Sequence, residues 1–299
     1  FADYDRDGDL DLFVLTYRYY RPGGRPAKRP IVMRNGRPKI LPGFEKYYDL
    51  RRVGPSDWTV DTCGRPDRLF RNDGTGHFTD VSENAGFTEK GHGLSATWWD
   101  HDGDGWLDLY VANDFTDPEH LYHNNGDGTF TDVIEQAMPY TSWSSMGADC
   151  ADLNNDGLLD LFVAGYETDQ SRDPRRFNRV DAHDGADNLL FINQGDLRFT
   201  EASDALGITG TQYTYVAQFF DFDGDGDVDL FEGNDYGRNV VWDNTGDGFR
   251  AFEDPPLTRH ASNTMGITIG DWDNTGAWGV YVANMYPHAG RRVLRLTES

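Results

Sequence analysis

Apolar residues in this chain come in short runs, and the runs share a form. Leu10-Asp-Leu-Phe-Val14, Leu107-Asp-Leu-Tyr-Val111, Leu159-Asp-Leu-Phe-Val163, Val228-Asp-Leu-Phe231 and Gly279-Val-Tyr-Val282 recur through it. Beyond the Asp of the first four, apolar residues occupy both parities, which predicts an inner strand covered on both faces. A second recurring segment holds two strands around an Asn/Gly turn: Arg68 to Asp80, His120 to Asp132, Asn188 to Thr200 and Asn239 to Phe252. Its glycines and asparagines supply the positive φ that a tight hairpin needs. One more strand precedes each later polar loop, as in Ser95–Trp99 and Tyr215–Phe220.

The unit is therefore strand, polar loop, strand, connection, strand, Asn-Gly turn, strand. Four antiparallel strands repeated every roughly 50 residues describe an all-β fold, a β-propeller of four-stranded blades. The polar loops start at residues 3, 100, 152, 221 and 271, giving units of about 1–86, 94–138, 146–208, 215–257 and 264–299 in a single domain. The first unit lacks an opening strand and the last shows no clear fourth strand. Insertions at 18–67 and 166–187 both follow a second strand.

The polar loops carry the chemistry. Asp3, Asp5, Asp7 and Asp11 share a frame with Asp100, Asp102, Asp104 and Asp108. The frame returns as Asp152, Asn154, Asp156 and Asp160, and as Asp221, Asp223, Asp225 and Asp229. Carboxylate or amide stands at positions 1, 3 and 5, glycine at 6 and carboxylate at 9. The backbone carbonyls of Asp9, Trp106, Leu158 and Asp227 at position 7 can join them. Such an oxygen cage suits a hard cation wanting about 6–8 oxygens, so calcium is expected, about four ions in all. Polar turns without an ion are the plainer reading, because Asp and Gly dominate turns. Coulomb repulsion opposes it: two carboxylates about 4 Å apart repel by roughly 4 kcal/mol at an effective dielectric of ~20. A fifth loop keeps Asp271 and Asp273 but has Thr275 and Gly279 at positions 5 and 9, so it is expected to be weak.

Asp221 to Glu232 also fits an EF-hand loop, with Glu at position 12. That place is Val14, Val111 and Val163 in the other strong loops, and the flanks are strand-like, so Glu232 reads as coincidence.

The net charge of −24 changes meaning once the loops are counted, since they hold 19 of the 51 acidic residues. Acidity argues against nucleic acid and anionic membranes. No apolar run is long enough to span a bilayer. Cys150 stands where other units carry Trp98, Phe219 and Ile269, so it reads as a buried apolar residue, and a disulfide with Cys63 is disfavoured. The sequence opens at Phe1, without Met and directly on a loop, as a processed or partial chain would.

With these motifs in fixed order, nearly the whole chain resembles FG-GAP/VCBS repeats. It is most like those of cartilage-acidic-protein-like (ASPIC/UnbV-associated) proteins, and more distantly the integrin α propeller. The resemblance implies a secreted, periplasmic or cell-surface propeller, often seven-bladed, that binds calcium and serves in adhesion or recognition. The five units here fall short of that number.

Strand direction alternates, so both insertions lie at the blade end opposite the calcium loops. Insertions on one face of a repeat array mark a binding face. Asn113, Asp114, Asn234, Asp235, Asn284, His92, Trp143 and His260 are placed on that face, as is Tyr213. Residues 18–68 hold 13 of the 27 Arg and Lys but five acids, with tyrosines interleaved. Pro22, Pro26, Pro30, Pro38 and Pro42 predict irregular backbone there. Two roles fit this arm: a brace on an acidic propeller, or a site for an acidic partner or sugar, with an exposed tip on a braced base expected. The function expected is non-catalytic recognition of a protein or glycan. The alternatives are a polysaccharide lyase or hydrolase using the insertion face, and a structural subunit of a surface assembly.

Overall fold

A computed structural model describes residues 1–52, 58–114, 117–166, 185–252, 258, 263–272, 274–275 and 278–285. Strands follow the repeat. Gly93–Trp99, Asp108–Asn113, His120–Asn124 and Phe130–Asp132 form one antiparallel sheet in sequence order. The next is Ser145–Ala151, Asp160–Gly165, Leu189–Asn193 and Phe199–Glu201. Tyr213–Phe220, Asp229–Tyr236, Val240–Asn244 and Phe249–Ala251 make a third. Before them stands a three-stranded sheet of Leu12–Val14, Arg68–Asn72 and Phe78–Asp80, and after them the pair Thr264–Gly270 and Gly279–Asn284. The sheets are the blades of a β-propeller, in which each packs its faces on its neighbours.

The second strand of each blade shows why its apolar residues fall on both parities. Leu109 and Val111 pack with Tyr4, Leu69 and Phe87 of the first blade, while Tyr110 and Ala112 pack with Leu161, Val163 and Phe191 of the third. Phe162 and Leu190 continue the stack onto Phe219, Leu230 and Trp242 of the fourth. Leu109, Tyr110 and Val111 are all fully buried. Burial stabilises by about 1.5–3 kcal/mol for each large apolar side chain, so the cores lie between blades and not inside them.

The arm departs from the sequence expectation, since it contains two hairpins despite its prolines. Ile31–Arg34 pairs with Arg37–Ile40 around Asn35 and Gly36, whose φ of 52° and 74° fit a two-residue turn of the primed kind. Pro38 sits inside this ribbon, opposite Met33, which a two-stranded edge tolerates. Tyr48–Arg52 pairs with Trp58–Thr62, and Arg65–Pro66 with Lys90–Gly91. At the base, a Cβ on Gly64 would sit 2.4 Å from the Gly91 carbonyl oxygen, so only glycine permits the approach. The second insertion, 166–187, lies outside the described residues except at its ends. Both cysteines are free thiols, and burial pushes the Cys150 thiol up to about 12.

Candidate functional site

Each polar loop bends twice. Glycine at position 6 takes φ of 95°, 89°, 90° and 99° at Gly8, Gly105, Gly157 and Gly226. Position 4 is also left-handed, at Arg6, Gly103, Asn155, Gly224 and Asn274, a requirement the sequence frame did not reveal. The two bends wrap the chain around the position-1 carboxylate. Asp3, Asp100, Asp152 and Asp221 accept the position-6 N–H at 3.1, 2.8, 2.9 and 3.2 Å. Position 5 accepts the position-7 N–H in all four loops, at Asp7, Asp104, Asp156 and Asp225. That hydrogen bond fixes the peptide plane joining positions 6 and 7, next to the carbonyls of Asp9, Trp106, Leu158 and Asp227.

Carboxylates converge within 4.8 Å at Asp3, Asp5 and Asp11, at Asp100, Asp102 and Asp104, and at Asp221, Asp223 and Asp225. The third loop places Asn154 beside Asp156, with its amide donating at 3.0 Å. The donor set suits a hard cation, and two atoms sharpen the fit: Asp3 Oδ1 and Asp5 Oδ1 are buried without a hydrogen-bond partner. Burial and the neighbouring Asp7 push the Asp5 carboxyl up, outweighing the Asp7 N–H and the Arg71 guanidinium that draw it down. In the fifth loop Asp271 accepts the Thr275 N–H at 3.0 Å, while Asp273 lies outside the described residues.

The position-9 aspartates also hold the backbone. Asp11, Asp108, Asp160 and Asp229 are at most 1% exposed. One oxygen of each accepts the N–H of loop position 2, at Tyr4, His101, Leu153 and Phe222. The other accepts the N–H of Asn72, Asn124, Asn193 or Asn244 at 2.8 Å. Each carboxylate thus ties its loop to the third strand and keeps lone pairs for an ion. Burial raises the Asp160 carboxyl to about 6.

Those asparagines were read as turn residues, and the structure gives them a second role. Asn124 Nδ2 donates to Tyr4 O of the preceding blade at 2.9 Å; Asn193 reaches His101 O at 2.8 Å and Asn244 reaches Leu153 O at 3.3 Å. The same position therefore pins each loop to the next blade. Its regular spacing ahead of Gly was the available signal.

At the opposite end, five of the eight residues assigned to a ligand face are buried in hydrogen bonds, two of them in joints between blades, and for these five that assignment is corrected. Asp114 accepts Tyr17 OH at 2.7 Å from one side and Ser144 Oγ at 3.1 Å from the other. Asp235 accepts Tyr166 OH at 2.6 Å and Asn263 Nδ2 at 2.9 Å. Asn113 donates to Pro118 O, and Asn234 donates to Arg238 O while accepting from Thr214 Oγ1. His92 meets Asp117 at 2.5 Å and Thr62 Oγ1 at 3.2 Å. All five are under 9% exposed, and Tyr213 is fully buried. They are polar because blade ends need hydrogen-bond partners where apolar packing stops. Trp143, half exposed, and Asn284 remain accessible, and His260 lies outside the described residues. Glu232, the last residue of the EF-hand-like stretch, lies fully buried in a strand and accepts Asn188 Nδ2 at 2.9 Å.

The arm carries the open chemistry on this face. Arg18, Tyr19, Tyr20, Arg21, Arg25 and Tyr48 help line a cleft of about 320 Å³. Tyr20 is 82% exposed. Lys46 Nζ and the Arg65 guanidinium lie 4.9 and 5.2 Å from the Tyr19 ring centroid, and Arg21 lies 5.0 Å from that of Phe44. The base is held by the T-shaped contact of Tyr17 on His92 and by Thr62.

The FG-GAP-like repeat signature matches residues 58–111, 100–163 and 221–282. Cartilage acidic protein 1 of Xenopus tropicalis is 31% identical over 205 residues, covering 63% of this chain and 29% of that protein. The Homo sapiens protein of that name is 30% identical over 202 residues, covering 63% and 28%. The chain thus spans under a third of the length of these relatives. Among solved structures, an Agrocybe aegerita lectin described as recognising non-reducing terminal N-acetylglucosamine aligns with a TM-score of 0.35 and 18% identity, over 87% of this chain and 65% of that one. The chain belongs to the FG-GAP-like repeat family.

Proposed function

We propose that the chain is a calcium-loaded, extracytoplasmic recognition module that holds an acidic protein or glycan on its arm. Calcium in four loops offsets the repulsion among their carboxylates and stiffens the link between first and second strands. The observation that carries recognition is the cleft of Arg18, Arg21 and Arg25 among Tyr19, Tyr20 and Tyr48. Guanidinium forks pair with carboxylate or sulfate, and tyrosine rings take sugar or peptide faces at low entropic cost. Arg18 and Arg25 are exposed, and the segment 18–68 is net positive on a chain that is otherwise strongly negative. Binding is favoured over catalysis because no nucleophile-elbow, His-Glu-x-x-His or paired-carboxylate motif stands outside the calcium loops in the sequence. Among the described residues no helix is long and apolar enough to cross a membrane.

The test is a triple Arg18, Arg21 and Arg25→Ala variant, probed with a sulfated polysaccharide, a polyglutamate peptide and uncharged dextran. Wild type should hold at least one acidic probe in calcium and release dextran. The variant should lose that binding while its melt barely moves, since exposed charges contribute about 0–1 kcal/mol. A large drop in melting with acidic-probe binding intact would leave the arm as a brace.

A further inference from the structure

One cluster is built on the second loop and the adjoining third strand, and has no counterpart in the other blades among the described residues. His101, Asp102, Asp108 and His123 each bring one ligand atom to within 4.8 Å of the rest. His123 Nδ1 lies 3.4 Å from Asp102 Oδ2 and 3.3 Å from Asp108 Oδ1, and His101 Nδ1 is paired with Asp108 Oδ2. His101 and Asp108 are fully buried side chains, whereas His123 and Asp102 are 22% and 16% exposed and leave a way in.

We infer that these four side chains form a second cation site, for a tetrahedral borderline ion such as Zn²⁺, which shares Asp102 and Asp108 with the edge of the calcium cage and adds two histidines to them. Three observations carry this. Two of the four ligands are imidazoles, which zinc takes and calcium does not, while the carboxylates suit either ion. The two spacings from His123 Nδ1, 3.4 and 3.3 Å, match the edge of a tetrahedron with metal–ligand bonds of about 2.0–2.1 Å, roughly 3.3 Å, while His101 and Asp108 stand closer, as a hydrogen-bonded pair. And His123 Nδ1 is buried yet makes no aligned hydrogen bond to either carboxylate beside it, so one ring proton does not satisfy the arrangement. A central cation satisfies all four groups at once.

The repeats strengthen the reading. At the place of His101 the other blades have Tyr4, Leu153 and Phe222, and at the place of His123 they have Arg71, Ile192 and Asp243. A fold that works with Leu and Ile here does not need two histidines. Asp102 bridges the two sites: its Oδ1 accepts the Asp104 N–H inside the loop at 3.2 Å, and its Oδ2 faces His123. The site rests on the proposed function only through the carboxylates it shares with the calcium cage, and removing the two histidines tests it without taking a calcium ligand away.

The test is Co²⁺ titration of the metal-stripped chain held in millimolar calcium, read by the visible d–d spectrum, with the His101→Leu/His123→Ile variant beside it. That pair reproduces the third blade, so the variant should fold, and its calcium-dependent melt checks that it does. Wild type should bind one Co²⁺ with a tetrahedral band that Zn²⁺ removes. The variant should lose the band and at least about tenfold in Zn²⁺ affinity for each histidine removed. No band in wild type, an equal band in the folded variant, or a band abolished by calcium would each overturn the proposal.

Discussion

Replacing Asn124 with alanine removes one side chain that joins two blades. Its Nδ2 donates to Tyr4 O at 2.9 Å and to Leu107 O at 3.1 Å, and its Oδ1 accepts the Gly126 N–H at 3.0 Å. The residue is 1% exposed, so alanine leaves two carbonyls and an amide where water barely reaches. Each bond contributes a net of about 1 kcal/mol, and each orphaned buried group costs about 1–3 kcal/mol. Counting the rim bond to Gly126 at the low end, the loss comes to roughly 3–7 kcal/mol. At about 2–4 °C per kcal/mol for a chain of this order of size, melting should fall by roughly 6–28 °C. Asn72 is the built-in control. It occupies the same place in the first blade, yet its Nδ2 bonds only Leu10 O at 3.1 Å, in an exposed setting. Asn72→Ala should cost about 1–2 kcal/mol. Calorimetry of both variants at fixed calcium measures the contrast. Equal losses, or a loss under about 1 kcal/mol at Asn124, would refute the joint between blades.

Glu119 and Glu232 are fully buried, and burial raises both carboxyls to about 7. The folded chain therefore holds protons that the unfolded chain releases near 4.5, and stability falls as pH rises through that window up to about 7. The Glu119→Gln/Glu232→Gln variant should gain on wild type progressively from pH 5 to 8 at constant calcium, and a pH-independent difference in melting would count against this. Gly226→Ala should destabilise by about 1–2 kcal/mol although its Cβ would meet nothing within 4 Å, because its φ is +99°; a neutral denaturant midpoint would contradict the strain. Asp271→Asn should leave the calcium-dependent part of the melt unchanged, since the fifth loop has Thr275 and Gly279 in place of acids; a clear drop would reveal a fifth ion.

The blades were legible because strand periodicity and turn chemistry both repeat. Leu109 to Ala112 alternate between two neighbouring cores, and the sequence carried that in its unbroken apolar run. The arm's hairpins were missed because five prolines outweighed one Asn35-Gly36 turn, and an isolated ribbon has no central strand for proline to disrupt. The ligand-face assignment of Asp114 and Asp235 failed for a different reason. Polar residues at strand ends look alike whether they meet solvent or a neighbouring blade, and partners such as Tyr17 and Tyr166 stand 97 and 69 residues away. The His101–His123 cluster spans a loop and a third strand, so only the folded register brings it together.

Calcium is the point on which the account turns. Thermal unfolding of the chain in millimolar calcium and in excess EDTA tests it most directly. Each occupied cage adds RT ln(1 + [L]/Kd), about 2.7 kcal/mol at 100 Kd, so four cages should lower the melting temperature sharply when the ion is withdrawn. A melt that is the same in EDTA as in calcium would contradict the reading of all four loops.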